Sequence, residues 1–142
     1  MFFCVKGKEN IRILEVGCGS GANLWLIAKE GFDAYGLDAS STAINLAQKH
    51  ITEKWGGTAK LQVGRFDNLP YDNDYFDVVF DIVSLQHLDL ETSRVALMEI
   101  NRVLKDKGLF FSYRFSDGSY MFMNSGGQFL DAATIFIPMI YP

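Results

Sequence analysis

Apolar positions recur along this chain in two alternating rhythms. Residues 11–16 alternate around β-branched and leucine positions and run into glycine, which predicts a buried strand ending in a tight loop. Residues 22–30 carry good helix formers and are followed by Gly31 where a C-cap glycine belongs, so a helix is expected there. The short apolar run 34–37 closes on Asp38, and Ser40 and Ser41 offer an N-cap for a second helix running to about His50. Residues 60–63 and 77–84 read as two further strands, separated by a polar turn around residues 69–74. Across 92–104, Val95, Leu97, Met98, Ile100, Val103 and Leu104 are spaced for one helical face; Gly108 follows, and 109–115 reads as the fifth strand. Core packing is expected of Phe110 and Phe111. Strands alternating with helices at these spacings predict an α/β fold, doubly wound, with a mostly parallel sheet and helices on both faces.

Composition narrows the setting. The 142 residues are 49% apolar and 21% charged, consistent with one globular domain over 1–142 built on a core at 11–115. A net charge of -4 offers no basic footprint for phosphates, so no nucleic-acid partner is expected. Only Cys4 and Cys18 occur, and Cys18 lies in a glycine-rich loop where a disulfide would be awkward, which points to a reducing, cytoplasmic setting. No apolar run reaches the roughly 18 to 20 residues of a membrane span. Residues 116–127 are rich in serine, glycine, methionine and aromatics without a period, and 135–142 is apolar with no polar tail. That ending leads us to expect a piece of a longer chain, or one finished by another subunit, and leaves a homodimer open.

The chemistry concentrates at the first loop. Gly17, Gly19 and Gly21 follow the first strand, where an open parallel sheet binds its ligands. Their missing Cβ atoms allow close backbone approach, and amides at the start of the next helix favour a phosphate or carboxylate. Asp38 closes the second strand about twenty residues on, where a carboxylate accepts from both ribose hydroxyls; helix capping is its alternative role. Loop and acid specify a nucleoside cofactor without choosing between a dinucleotide and S-adenosylmethionine.

The run Ile13-Leu14-Glu15-Val16-Gly17-Cys18-Gly19-Ser20-Gly21 resembles the first motif of the class I S-adenosylmethionine-dependent methyltransferases, with Glu15 in the acidic position. Phe66-Asp67-Asn68-Leu69-Pro70 before Tyr75-Phe76-Asp77-Val78-Val79, then Ser84-Leu85-Gln86-His87-Leu88, then Val103-Leu104-Lys105-Asp106-Lys107-Gly108-Leu109, resemble later family segments in order. The resemblance implies a Rossmann-like sheet, here without the last strands of the usual seven, and a methyltransferase acting on a small-molecule substrate by in-line displacement. It implies that Gly17, Cys18, Gly19 and Gly21 line the methionine part of the cofactor, Glu15 orients its ammonium, and Asp38 binds the ribose. Ala39 would contact the adenine face, Phe66 would flank the ring, and Asp67 would accept from its amino group. Asp81 is placed with the cofactor contacts, although the family often has a small or hydroxyl residue there, and Gln86 replaces the first of a common histidine pair.

His87 is the candidate general base, and Asp81 and Gln86 are candidate substrate contacts. Tyr113, Arg114 and Phe115 are expected on the loop's side of the sheet; Tyr120, Met121, Phe122 and Met123 fit a pocket wall, a dimer surface or core. His50, near a helix end, reads as structural. No metal ligands are expected. Two other readings stay open: an NAD(P)-dependent oxidoreductase, since the loop also meets a loose dinucleotide pattern ending at Ala22, and a non-catalytic S-adenosylmethionine-binding subunit that needs a partner.

Overall fold

Five strands, β1 (Arg12–Val16), β2 (Asp33–Asp38), β3 (Lys60–Val63), β4 (Phe76–Ile82) and β5 (Leu104–Tyr113), form one parallel sheet in the order β3-β2-β1-β4-β5. Three helices, α1 (Ala22–Lys29), α2 (Ser41–Lys49) and α3 (Leu90–Val103), follow β1, β2 and β4, and β3 leads to β4 through a loop. The computed structural model describes residues 7–116, together with the backbone of a short antiparallel pair, β6 (Gln128–Phe129) and β7 (Ile135–Phe136). The expectations for Tyr120, Met121, Phe122 and Met123 lie outside the described residues. The doubly wound α/β fold is the one expected from the hydrophobic pattern. Its strand order turns back at β1, so the crevice of such a sheet opens between the carboxyl ends of β1 and β4.

Period-2 alternation sorts the side chains onto two layers. Leu14 and Val16 of β1, Tyr35 and Leu37 of β2 and Val79 of β4 share one buried cluster with Ala96, Ile100 and Val103 of α3. On the other face Ala34 joins Leu24 of α1, Ile44 of α2, Ile51 and Cys18. Gly36 belongs to this second layer because a Cβ there would lie 2.3 Å from Leu24 and 2.9 Å from Leu61.

Local signals account for most boundaries. The Ser40 hydroxyl accepts from the Ala43 amide at 3.2 Å and caps α2. The chain then continues through one π-turn, His50–Lys54, that seats the fully buried Ile51. Helix α3 begins at Leu90, two positions earlier than expected, because Asp89 accepts from the Thr92 amide at 2.7 Å. Strand β5 starts at Leu104 with no loop after α3, five residues before the strand expected from 109, and its pairing with β4 has a register irregularity between Phe76 and Val78.

The largest correction concerns β5. Phe110 and Phe111, expected in the core, are 38% and 56% exposed. Among the described residues strand β5 is an edge of the five-stranded sheet, with β4 beside it. Among the described residues no helix is long and apolar enough to cross a membrane.

Candidate functional site

Each glycine of the first loop does a different job. Gly17 has φ 72°, and a Cβ on it would lie 2.3 Å from the Ser84 side chain and 3.2 Å from the Phe66 ring. Only a bare backbone can therefore sit between the turn after β4 and Phe66. A Cβ on Gly21 would meet Ile51 at 2.9 Å and Ala47 at 3.1 Å, so this glycine seats the loop on α2, while Gly19 faces open space.

Several of the loop amides turn inward. Gly17 and Cys18 donate to the Leu37 carbonyl at 2.7 and 3.1 Å, Gly21 donates to the Cys18 carbonyl at 2.9 Å, and Gly19 donates to Asp38 Oδ2 at 2.9 Å. Four of the loop amides are thus engaged within the protein.

Three carboxylates stand at the carboxyl ends of the central strands, and none is in an ion pair among the described residues. Glu15 of β1 is 2% exposed; its Oε1 accepts from Asn23 Nδ2 at 2.7 Å, and its buried Oε2 has no hydrogen-bond partner. Burial pushes its carboxyl up to about 7; the Asn23 hydrogen bond opposes this, and the nearby Asp81 and Asp38 charges add to it. Asp38 of β2 takes the Gly19 amide on Oδ2 and the Ser40 amide on Oδ1 at 2.8 Å. Because Ser40 caps α2, Asp38 is not spent on the helix, and each oxygen keeps an acceptor lone pair.

Asp81, which the resemblance placed with the cofactor contacts, is held inside the protein. It has no exposed surface, and its oxygens take the Ser84 amide and hydroxyl, the Leu85 amide and the Ser112 hydroxyl. The acid faces its own turn and β5. The Cys18 side chain packs in the layer of α1 and α2, and burial pushes its thiol up to about 12, so it presents no reactive sulfur.

The remaining expected residues gather at the same end of the sheet. Ala39 is exposed beside Asp38, and Phe66 is half-buried over Gly17. Asp67 is held by Arg65 through Nε to Oδ1 at 3.0 Å and Nη2 to Oδ2 at 2.8 Å, a contact that lowers its carboxyl from the usual range. His87 ends the 3-10 turn Leu85–His87 with an exposed side chain. Gln86 Oε1 accepts from the Phe115 amide at 3.1 Å and ties that turn to the end of β5, where Tyr113, Arg114 and Phe115 are exposed. His50 Nδ1 lies 3.3 Å from the Ser20 carbonyl and braces the glycine loop.

Sequence reasoning missed Asn23, Ser84, Ser112 and Arg65. Each acts through a partner brought close by strand pairing or by a loop, and no period or motif marks such a residue.

A family model described as a methyltransferase domain matches residues 13–108. This chain belongs to the class I S-adenosylmethionine-dependent methyltransferase superfamily. The methyltransferase domain is 30% identical over 129 residues to the ubiquinone biosynthesis O-methyltransferase of Alkalilimnicola ehrlichii, a match covering 89% of this chain and 51% of that protein. Among solved structures it resembles an S-adenosylmethionine-dependent methyltransferase from Methanosarcina mazei, with TM-score 0.73 and 26% identity over 80% of this chain and 57% of that one. It also resembles the PH0226 protein of Pyrococcus horikoshii, with TM-score 0.70 and 28% identity over 73% of this chain and 46% of that one. The chain spans about half the length of the curated relatives it matches.

Proposed function

We propose that this methyltransferase domain, with its core at 11–115, binds S-adenosylmethionine at the carboxyl ends of β1, β2 and β4 and serves methyl transfer to a hydroxyl of a small molecule. The observation that carries this reading is the buried, partnerless Oε2 of Glu15, at the same sheet end as Asp38, with neither acid in an ion pair among the described residues. A buried carboxylate lacking a partner is costly, and a ligand bringing an ammonium group relieves that cost. A dinucleotide, whose pyrophosphate is anionic, would instead meet Glu15 and Asp38 and a loop in which the Gly17, Cys18, Gly19 and Gly21 amides are engaged.

In this reading Glu15 accepts from the ammonium of the methionine part, Gly17 and Gly19 give it backbone surface, and Asp38 takes the ribose hydroxyls on its remaining lone pairs. Phe66 and Ala39 flank the adenine, and Asp67, steadied by Arg65, accepts from its amino group. Bound there, the cofactor supplies a sulfonium whose methyl carbon is the electrophile. The protein's task is then alignment and exclusion of water, and positioning of this kind supplies roughly 7 to 11 kcal/mol without a catalytic side chain. His87, exposed on the turn after β4, would take the proton of the attacking hydroxyl. An oxygen acceptor is supported by the similarity to the Alkalilimnicola ehrlichii ubiquinone biosynthesis O-methyltransferase.

Isothermal titration with S-adenosylhomocysteine tests the assignment. The reading predicts saturable binding by the folded chain that weakens in Glu15→Gln; no heat at ligand concentrations up to the millimolar range would sink it.

A further inference from the structure

Val83 is β-branched and sits at φ 55°, in the left-handed region such residues avoid. Outliers of this kind persist only when their surroundings over-determine them. On one side the Val83 amide donates to the Tyr113 carbonyl at 2.7 Å. On the other stands Asp81, fully buried and outside every ion pair of the described residues. Its Oδ1 takes the amides of Ser84 at 2.9 Å and Leu85 at 3.0 Å together with the Ser84 hydroxyl, and its Oδ2 takes the Ser112 hydroxyl at 2.9 Å. The Ser84 hydroxyl also lies 2.9 Å from the Val16 carbonyl, directly before Gly17, whose missing Cβ leaves room for that same serine. One side chain therefore joins the carboxyl ends of β1, β4 and β5.

Asp81 stands among apolar interior positions, with Val16 and Val79 in the buried cluster, and its acceptors are spent on the turn after β4 and on β5. The residues that Asp81 fixes are those that the transfer step needs at set distances: Ser84 under the glycine loop, and the turn Leu85–His87 that carries Gln86 and His87.

We propose that Asp81 is a positioning residue: it holds Val83 in its left-handed conformation and thereby sets residues 84–87, with the His87 imidazole, against the glycine loop. This inference rests on the cofactor reading above and extends it to the acceptor side of the site.

The experiment uses the 142-residue chain and a double-mutant cycle of Asp81→Ala and Val83→Gly, read by titration with S-adenosylhomocysteine and by amide hydrogen exchange. Glycine adopts φ 55° without strain, so it removes what Asp81 is proposed to restrain. In Asp81→Ala the affinity should fall about tenfold and exchange at Ser84, Leu85 and Leu88 should rise about a hundredfold, while Tyr35 and Leu37 follow only the change in global stability. Adding Val83→Gly should recover at least about threefold of both losses, a coupling that a purely structural carboxylate would not show. Asp81→Asn, whose Oδ1 still accepts the two amides, should restore most of the affinity. Purely additive effects, or unaltered exchange at 84–88, would overturn the proposal. Should Asp81→Ala fail to fold, Ser112→Ala decides, because Ser112 is exposed and frees only Oδ2. Exchange at Ser84 and Leu85 should then rise about threefold with Tyr35 unmoved, and no rise would overturn the clamp. If the wild type does not bind S-adenosylhomocysteine but the exchange cycle is coupled, the clamp stands and the cofactor reading falls.

Discussion

The two ends of the parallel sheet treat their carboxylates in opposite ways. At the amino ends of the strands Asp33 is paired with Lys60 at 2.9 Å, and Asp77 takes Lys105 at 2.8 Å and the Arg12 amide at 2.9 Å. Burial alone would raise the Asp77 carboxyl, but the Lys105 and Arg12 contacts outweigh it and hold it below its usual range. At the carboxyl ends Glu15, Asp38 and Asp81 have only amides, hydroxyls and an asparagine for company. Glu15 is driven the other way, up to about 7. The acids of β2 and β4 at the amino end are paired with lysines, whereas Glu15, Asp38 and Asp81 at the carboxyl end have no ion pair among the described residues, although Asp67 in the loop after β3 is held by Arg65.

This contrast is sharpest at Glu15. Its folded-state value lies above its ordinary value of 4.5, so folding holds a proton that the unfolded chain releases between about pH 4.5 and 7. Stability is full below that window and falls as pH rises through it, by on the order of 3 kcal/mol for a shift of this size. Glu15→Gln, which is isosteric and uncharged, should therefore raise stability at pH 8 by about 2 kcal/mol in urea unfolding while weakening S-adenosylhomocysteine binding at least about tenfold. A variant at once more stable and less able to bind would separate the site from the scaffold; loss of both would erase the distinction.

Asp38→Ala comes next in size. Removing a charge-assisted acceptor costs about 1.5 to 3 kcal/mol, equivalent to a tenfold to hundredfold weaker titration. The Gly19 amide also loses its acceptor, so part of the loss should appear as faster exchange at Gly19. Unchanged affinity would remove ribose from the role assigned to Asp38.

The amino end supplies the smaller effects. Asp77→Asn should cost about 0.5 to 1 kcal/mol, since the pair with Lys105 is partly solvated and screened, and should leave S-adenosylhomocysteine affinity within twofold. Lys60→Ala should cost less still, within about 0.5 kcal/mol, because its side chain is 61% exposed. An affinity change at either position would mean that the two ends are coupled and the comparison is too simple.

Much of this architecture was legible in the chain. The strand-helix alternation, Ser40 as a cap, and the placing of Gly17, Glu15 and Asp38 at one sheet end follow from period and from residue chemistry, which are local. What could not be read there depends on neighbours far along the chain. Asp81 and Ser112 meet because β4 and β5 pair, and the Gly17 and Cys18 amides are spent because β2 brings Leu37 alongside. Phe110 and Phe111 carry a core-like pattern that an edge strand does not honour. The sequence marked the acids, but only the fold shows which have a cation.

The most direct test of the central claim is the pH dependence of S-adenosylhomocysteine affinity, measured by calorimetry from pH 5.5 to 8 for wild type and Glu15→Gln. If the ammonium is received by ionised Glu15, wild-type affinity should climb by nearly tenfold per pH unit below about 7 and level off above it, while Glu15→Gln stays weak and flat. Parallel profiles of equal strength for the two proteins would contradict the account.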